Sequence, residues 1–219
     1  MSKLYLFAHQ DDEVAIATRI ARDVSAGANV VCVFLTDGGA PAVRDAESRA
    51  VLQSLGVSDI RFVGLPDGRL VEHLEEAYRA IENIDAEEIV TLAWEGGHQD
   101  HDAAHLVALA RGVRCLEFPL YYGFFRVLVP LHGGERRRLS LREVWWRSRL
   151  AFRYPSQRRT WMALAPQMLL RWSEVVAVAD RERVRRRPRE GPLLYERRFG
   201  FSWERFAAAA RPFIEQRIR

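Results

Sequence analysis

Short apolar runs alternate with amphipathic helical stretches over the first 125 residues, and no other feature constrains the fold as much. The runs are rich in Val, Ile and Phe, as strands are, and lie at residues 4–8, 29–36, 59–65, 87–94 and 114–120. Between them, apolar residues recur at helical spacing. Such alternation is typical of βαβ units, whose right-handed crossovers build a parallel sheet. The sequence therefore predicts an α/β, Rossmann-like fold: a mostly parallel sheet with helices on both faces.

The pattern changes beyond Tyr122, where regular strand–helix alternation stops. Helices are expected over 141–152 and 162–172, and Pro155 should end the first of them. The arginine-rich stretch 181–189 is expected to be a solvated loop.

The length and composition suit one folded domain. Hydrophobic residues make up 48% of the 219 residues and charged residues 28%, a balance that excludes a wholly disordered chain. A chain of this length fits one large domain. We therefore expect a single domain over 1–219, with a core at 1–125 and a helical and loop extension at 126–219 packed on it.

The sequence has no mark of secretion or of a membrane span. No apolar run reaches the roughly 18 residues that cross a bilayer, and the N-terminus is unlike a signal peptide. Cys32 and Cys115 both lie in apolar strand-like runs, where two buried thiols are expected. These features predict a cytoplasmic, reduced protein.

The net charge of +4 combines an acidic half with a basic half. Residues 1–110 carry a balance of −11 and residues 111–219 one of +15. The two halves could attract each other within a chain or between subunits, which would allow a homo-oligomer. The basic half could also serve nucleic acid or an anionic substrate, so charge alone does not choose a function.

Two clusters of histidines and acids follow the first and fourth predicted strands. One runs from His9 to Glu13 and the other from His98 to His105. The carboxyl ends of neighbouring parallel strands share one crevice, where ligands bind. Imidazole and carboxylate groups together suit Zn²⁺, or less selectively Fe²⁺, Co²⁺ or Mn²⁺.

Each cluster alone has a structural explanation. Asp11, Asp12 and Glu13 would favour a helix N-terminus electrostatically, and a histidine before a helix is commonly a capping or loop residue. Crowded into one crevice, however, these groups would repel or desolvate one another without a cation to join them. Together, at matching strand ends, the clusters predict a metal site.

The clusters resemble the signature motifs A-H-P-D-D-E and H-P-D-H of the LmbE/PIG-L family of zinc-dependent N-acetylglucosaminyl deacetylases. The resemblance covers residues 1–125 well and the remainder in outline. Both motif prolines are glutamine here, Gln10 and Gln99, which should change loop stiffness and leave the ligands intact. Further matching segments are Thr36-Asp-Gly38, Arg44-x-x-Glu47, Leu55-Gly-Val57 and Tyr154-x-Ser156-Gln157.

By motif position, the resemblance implies that His9, Asp12 and His101 bind one zinc ion per chain. It implies that Asp11 is the general base and that His98 polarises the carbonyl or stabilises its oxyanion. The chemistry suits this division, because three protein ligands leave positions for water and substrate. A nearby carboxylate can then take the proton from the activated water.

Other residues near the motifs have further predicted roles. Asp100 is a candidate partner that would fix the orientation of the His98 imidazole. Arg44 and Asp67 resemble positions through which family members hold the sugar or its phosphate-bearing aglycone. The alternative is that Arg44 is a surface helix residue and Asp67 a turn residue.

His105 has the spacing of a zinc-binding pair with His101, as in H-E-x-x-H. We expect it instead to line the cleft or to lie beside it, and His73 and His132 to be surface residues. Five aromatic residues could form an apolar or sugar-stacking wall, although most should be core: Tyr121, Tyr122, Trp145, Trp146 and Trp161.

The leading hypothesis is an enzyme that removes an N-acetyl group from an N-acetylglucosamine-type moiety of a small molecule or glycoconjugate. The family resemblance supplies that substrate class. The same site could hydrolyse another amide or a phosphoester. A hypothesis of a different class is a non-catalytic polyanion binder using the arginine-rich half, but no nucleic-acid recognition motif is present, and nucleic acid is not the expected partner.

Overall fold

The computed structural model describes residues 1–121, 134–162, 169 and 171–218. The strands are β1 (Ser2–Phe7), β2 (Asn29–Thr36), β3 (Asp59–Leu65), β4 (Glu88–Leu92), β5 (Arg114–Phe118), β6 (Glu135–Arg138) and β7 (Ser173–Val178). The helices bounded within these residues are α1 (Ala17–Ser25), α2 (Pro41–Ser54), α3 (Leu74–Ile81), α4 (Gln99–Ala110), α5 (Leu141–Ala151), α6 (Leu194–Phe199) and α7 (Trp203–Arg217). Short 3₁₀ segments lie at Asp12–Ile16, Leu70–His73, Pro155–Gln157 and Arg183–Arg185.

The seven strands form one sheet in the order β3-β2-β1-β4-β5-β7-β6. The first five strands of that order pair in parallel, and β7 runs antiparallel to β5 and β6. The predicted α/β fold with a mostly parallel sheet is confirmed.

β1 lies at the centre of the parallel part, and all of its residues are buried. Successive side chains of a strand point to opposite faces, so burial of both Leu4 and Tyr5 shows that both faces are covered. The chain moves outward from β1 to β2 and β3, then returns to β4 on the other side of β1. The crevice outside the carboxyl ends of β1 and β4 is therefore the switch point where such sheets bind ligands.

The extension contributes two strands that the sequence analysis did not predict. β6 has the sequence Glu-Arg-Arg-Arg, which lacks the alternation of apolar and polar residues that marks a strand. β7 pairs with β5 and so covers what would otherwise be an exposed sheet edge.

Helix α5 begins and ends close to the predicted limits. Ser140 and Glu143 form a capping box: the Ser140 hydroxyl accepts from the Glu143 amide at 3.3 Å, and the Glu143 carboxylate accepts from the Ser140 amide at 2.8 Å. The chain then breaks into the 3₁₀ turn that starts at Pro155. Most of the helix expected over 162–172, and the expected boundary at 125–126, lie outside the described residues.

The opposite charges of the two halves meet within one chain. Ion pairs join Arg205 to Glu72 at 2.9 Å, Arg217 to Glu75 at 2.9 Å and Arg114 to Glu88 at 3.2 Å. Some arginines of the basic half therefore neutralise acids of the acidic half within one chain, and self-association remains a prediction. Cys32 and Cys115 are buried free thiols, and within the described ranges no helix has the length and apolarity of a transmembrane span.

Candidate metal centre

The two motif clusters meet at the switch point. β1 and β4 are paired neighbours, with Leu6 opposite Thr91. His9 follows the end of β1, and His98 and His101 lie at the start of α4, which follows β4. Residues 92 positions apart in the sequence are thereby brought into contact.

The three predicted ligands converge on one point. His9 Nδ1 lies 3.1 Å from His101 Nε2, and His101 Nε2 lies 3.2 Å from Asp12 Oδ1. The other Asp12 oxygen lies 3.7 Å from His9 Nδ1 and accepts a hydrogen bond from the His9 amide at 2.8 Å. All three residues are at least 92% buried.

These spacings fit a tetrahedral ion. Ligands held at about 2.0–2.1 Å from Zn²⁺ in tetrahedral geometry lie roughly 3.3 Å from one another, close to the distances between His9, Asp12 and His101. Two imidazoles and one carboxylate also form the kind of donor set that catalytic zinc uses, with positions left for water and substrate. The residues present therefore fit a divalent metal ion.

The other edge of the His9 ring faces two further carboxylates. His9 Nε2 lies 3.0 Å from Asp67 Oδ1 and 3.2 Å from Asp100 Oδ2. Asp100 is held in place because its two oxygens accept from the amides of Gly68 at 2.6 Å and Leu70 at 3.0 Å. His9, His98 and Asp100 also bring ligand atoms close enough to hold a metal. Because Asp100 already accepts two backbone hydrogen bonds, this arrangement is better suited to orienting His9 than to binding a second ion.

The electrostatics of the cluster reflect its crowding. Burial alone would lower the pKa of His9, but hydrogen bonds to Asp100, Asp12 and Asp67 raise it well above its ordinary value. Burial alone would raise the pKa of Asp12, but His101 and His9 lower it. Asp12 is therefore a carboxylate, the protonation state that a metal ligand requires.

Asp11 has a backbone conformation unusual for its residue type. Its φ of 104° makes it the one non-glycine residue with positive φ in the described chain, a strain that is typical of functional sites. The Asp11 amide donates to Glu13 at 2.9 Å, and Asp11 Oδ1 accepts from Arg44 at 2.9 Å. Burial raises the pKa of Asp11 to about 7, against the opposing charge of Arg44 and with the help of Asp12.

Arg44 lies inside the site, on the first turns of α2. It is 7% exposed and donates to the carbonyls of Gly38, at 2.8 Å, and Gln10, as well as to Asp11. Gly38 is required here because its φ is positive, and because a Cβ would lie 2.8 Å from the guanidinium. Arg44 is thus not the surface residue of the alternative interpretation, and Asp67 lies beside His9 rather than serving only as a turn residue.

His98 caps α4 and lies against His9. The two ring centroids are 4.6 Å apart, and His98 Nδ1 accepts from the Asp100 amide at 3.2 Å. Burial, together with the charge of His9, holds the pKa of His98 well below its usual range. A neutral imidazole whose Nδ1 accepts must carry its proton on Nε2, so His98 is a hydrogen-bond donor at that atom.

The two glutamines that replace the family prolines hold neighbouring loops. Gln10 Nε2 donates to the Thr36 carbonyl at 3.1 Å and to Asp45 at 2.6 Å, which ties the first motif to the end of β2 and to α2. Gln99 Nε2 donates to the Gly68 carbonyl at 3.2 Å, which ties the second motif to the loop that carries Asp67.

Two further functional candidates are Glu13, which was expected to be only a helix-start acid, and Phe199, which sequence reasoning missed. Glu13 is fully buried and accepts a hydrogen bond from Tyr154, whose hydroxyl also lies 3.0 Å from Ser48. Burial raises the pKa of Glu13 to about 8. Phe199 packs edge-on against His98, with ring centroids 4.9 Å apart. The segment Tyr154-x-Ser156-Gln157, which resembles the family, is the sequence feature that could have predicted a contact between Glu13 and the extension.

The remaining residues take other positions. Tyr121 packs against His101, with centroids 5.2 Å apart. His105 Nδ1 donates a hydrogen bond to the Leu92 carbonyl, at the end of β4, at 2.8 Å. This nitrogen is therefore not directed at the metal ligands. His73 is part-exposed beside Glu76, whereas His132 and Tyr122 lie outside the described residues.

The fold and the cluster together define an α/β protein with a candidate metal centre at the switch point of its sheet. Residues 4–111 match the family model described as PIG-L: GlcNAc-PI de-N-acetylase, and both motif clusters fall inside the matched stretch. The chain belongs to the PIG-L/LmbE family, which confirms the resemblance of its motifs. A search of curated proteins finds no matching relative.

Solved structures share the fold at low sequence identity. A deacetylase of the teicoplanin biosynthesis pathway matches with a TM-score of 0.66 and 19% identity, over 82% of this chain and 99% of that one. The conserved protein TT1542 from Thermus thermophilus matches with a TM-score of 0.64 and 19% identity, over 80% and 93%. GalB, the 4-carboxy-2-hydroxymuconate hydratase from Pseudomonas putida, matches with a TM-score of 0.57 and 16% identity, over 80% and 94%. At these identities the likeness concerns the fold.

Proposed function

We propose that the protein is a metal-dependent hydrolase that removes an N-acetyl group from an N-acetylglucosamine-type moiety. The observation that carries the proposal is the convergence of His9 Nδ1, Asp12 and His101 Nε2 at distances that match one tetrahedral ion. Family membership supports the amide and the sugar as substrate class.

His9, Asp12 and His101 would hold the metal, and zinc is the proposed ion. When bound, such an ion polarises the amide carbonyl and makes water more acidic. The chain contributes the orientation of the ligands. His9 presents Nδ1 to the metal position while Nε2 donates to Asp100 or Asp67, the carboxylate–histidine arrangement that fixes a ligand ring.

Asp11 is the proposed general base. Its pKa of about 7 lies where a carboxylate can both accept and return a proton near neutrality. Its side chain pairs with Arg44, whereas that of Asp12 lies beside His9 and His101, so the two adjacent residues have different partners. Arg44 holds one oxygen of Asp11, and its contacts favour a role in positioning the base over direct binding of substrate.

His98 is the proposed oxyanion donor. Because its Nδ1 accepts from the Asp100 amide, the ring presents an N–H at Nε2. Donors fixed in advance toward developing negative charge are usually a large part of catalysis. Asp100 would orient His98 through that amide and His9 through its carboxylate.

Asp67 and Phe199 are the proposed substrate contacts at the mouth of the site. The Asp67 side chain is 39% exposed while touching His9, so an oxygen remains accessible to a sugar hydroxyl. Phe199 is 46% exposed and offers an apolar surface beside His98. A carboxylate and an aromatic ring suit a neutral sugar better than a phosphate.

The test is metal analysis of the purified protein coupled to a screen for acetate release from N-acetylated sugars and their conjugates. We expect about one equivalent of zinc and acetate release that a chelator abolishes and zinc restores. His101→Ala is the matched variant and should lose both the metal and the activity. A metal-free protein that still releases acetate would contradict the proposal.

Addition of water to a conjugated double bond is a second candidate, because a metal held by His9, Asp12 and His101 and a nearby base do not by themselves select an amide over such a bond. The same residues could deliver water to a carbon–carbon double bond conjugated with a carboxylate. Such a reaction adds water without releasing acetate. Loss of ultraviolet absorbance from an unsaturated dicarboxylate therefore separates it from deacetylation in one pair of assays.

A further inference from the structure

Helix α5 and the residue that caps its C-terminus, Phe152, expose a stripe of large apolar side chains. Leu141, Trp145 and Phe152 are 61%, 62% and 65% exposed. At 3.6 residues per turn these three positions fall within about 40° of one another around the helix axis. The buried side of the helix, which includes Val144 and Leu150, already packs against the protein. The exposed stripe is therefore additional apolar surface, of the kind that marks an interaction site.

Arginines without carboxylate partners lie beside the stripe. Arg142, Arg149 and Arg153 line a groove of about 780 Å³ together with Trp145, Trp146 and Phe152. The described residues that line this groove include no aspartate or glutamate. A second groove of about 340 Å³ shares Phe152 and adds Arg158.

These arginines differ from others in the chain. Arg137, Arg183 and Arg187 each form an ion pair within 3.1 Å of a glutamate. Arg142, Arg149 and Arg153 form no ion pair with a carboxylate among the described residues. The face thus combines uncompensated positive charge with protruding apolar groups.

We propose that this face of α5 binds the surface of an anionic lipid bilayer. Leu141, Trp145 and Phe152 would enter the boundary between headgroups and acyl chains, where tryptophan is favoured. The arginines would pair with anionic headgroups, each contributing a surface attraction. The pattern is that of a helix lying in the membrane surface.

The composition of the stripe favours a lipid over a nucleic acid. Single-stranded nucleic acids are bound by aromatic rings that stack on bases inside a basic groove. Here the most exposed groups include Leu141, which cannot stack or hydrogen-bond, and they protrude as one line. Such a line matches an apolar layer beneath charged headgroups.

Docking through this face leaves the metal centre free. The groove includes Ser54, the last residue of α2, whereas Arg44 on the first turns of that helix points into the metal centre. Ser54 lies ten residues beyond Arg44 on this helix, which is about 15 Å along the helix axis. Membrane binding through this face therefore does not require the metal centre to be active.

The experiment is cosedimentation of the whole protein with vesicles of phosphatidylcholine alone and of phosphatidylcholine mixed with phosphatidylglycerol. We expect binding to the anionic vesicles that weakens with salt, and little binding to the neutral ones. Replacing Arg142, Arg149 and Arg153 by Gln should weaken binding about fivefold per arginine, roughly a hundredfold in total. Trp145→Ala should also weaken it and should reduce the blue shift of tryptophan fluorescence on binding.

Matched controls keep the test specific. Arg61, Arg69 and Arg205 are exposed arginines outside the groove, and replacing them by Gln removes the same charge. Trp172, 49% exposed and also outside the groove, gives the control Trp172→Ala. Both controls should bind anionic vesicles nearly as the wild type does, and circular dichroism should show all variants folded.

Several results would overturn the proposal. These are absence of vesicle binding, equal binding to neutral and anionic vesicles, or equal weakening by the groove and control triple variants. Binding of a single-stranded oligonucleotide, lost in the groove variants while vesicle binding is absent, would assign the face to nucleic acid instead.

Discussion

Asp100 Oδ2 lies 3.2 Å from His9 Nε2, on the opposite edge of the imidazole ring from His101. The same carboxylate accepts hydrogen bonds from the amides of Gly68 and Leu70. The loop between β3 and α3 therefore helps to fix the orientation of His9, a predicted metal ligand, by holding Asp100 in place.

This relationship predicts that Asp100→Ala weakens metal binding by about 10–100-fold, the usual cost of losing the partner of a ligand histidine. Competition with a coloured chelator measures the affinity. Asp85→Ala removes an exposed aspartate and should leave the affinity unchanged. Wild-type affinity in Asp100→Ala would show that His9 does not depend on this partner.

His101 and His105 provide a matched pair on one helix. His101→Ala removes a predicted ligand, and elemental analysis should find no bound zinc. His105→Ala removes a side chain bonded to the Leu92 carbonyl, and should retain the metal while lowering the free energy of unfolding by about 1–3 kcal/mol. Retention of a full equivalent of zinc by His101→Ala would refute the ligand assignment.

Asp11→Asn should separate catalysis from metal binding. The amide keeps the shape of the side chain but cannot take a proton, so turnover should fall by about 10²–10⁴-fold while zinc content stays near one equivalent. Steady-state acetate release and metal analysis on the same preparation provide the measurement. If the variant loses its zinc, Asp11 is a ligand and not the base.

Gln99→Ala tests the tie between the second motif and the loop that carries Asp67. Loss of the hydrogen bond to the Gly68 carbonyl should cost about 1 kcal/mol of stability and speed hydrogen exchange in the loop. We expect KM to rise more than kcat falls, because Asp67 is a proposed substrate contact. The exposed residue Gln53 gives the control Gln53→Ala, and identical loop exchange in Gln99→Ala and the wild type would show that Gln99 does not hold the loop.

Much of the site was predictable because its chemistry is local in sequence. His9, Asp12 and His101 follow strands whose apolar runs are plain, and parallel strand ends meet at one edge. The pairing of β1 with β4 then brings the two clusters together. The strand order thus places two motifs that are distant in sequence at one candidate metal centre.

Other features depend on contacts that no local pattern encodes. The inward direction of Arg44 follows from the positive φ of Gly38 and from carbonyls that accept its hydrogen bonds. The hydrogen bond to buried Glu13 comes from Tyr154, 141 residues away. β6 is a strand because β7 offers it a partner, whereas its own charged sequence would favour solvent.

The cover that β7 provides over β5 has a consequence for biosynthesis. The chain emerges from the ribosome N-terminus first, so the five parallel strands are complete well before Val178 has been translated. During that interval the backbone groups along one side of β5 have no hydrogen-bond partners in the sheet, and exposed strand edges of this kind promote aggregation. The outer side of β5 therefore stays unpaired while the residues between Phe118 and Val178 are being synthesised.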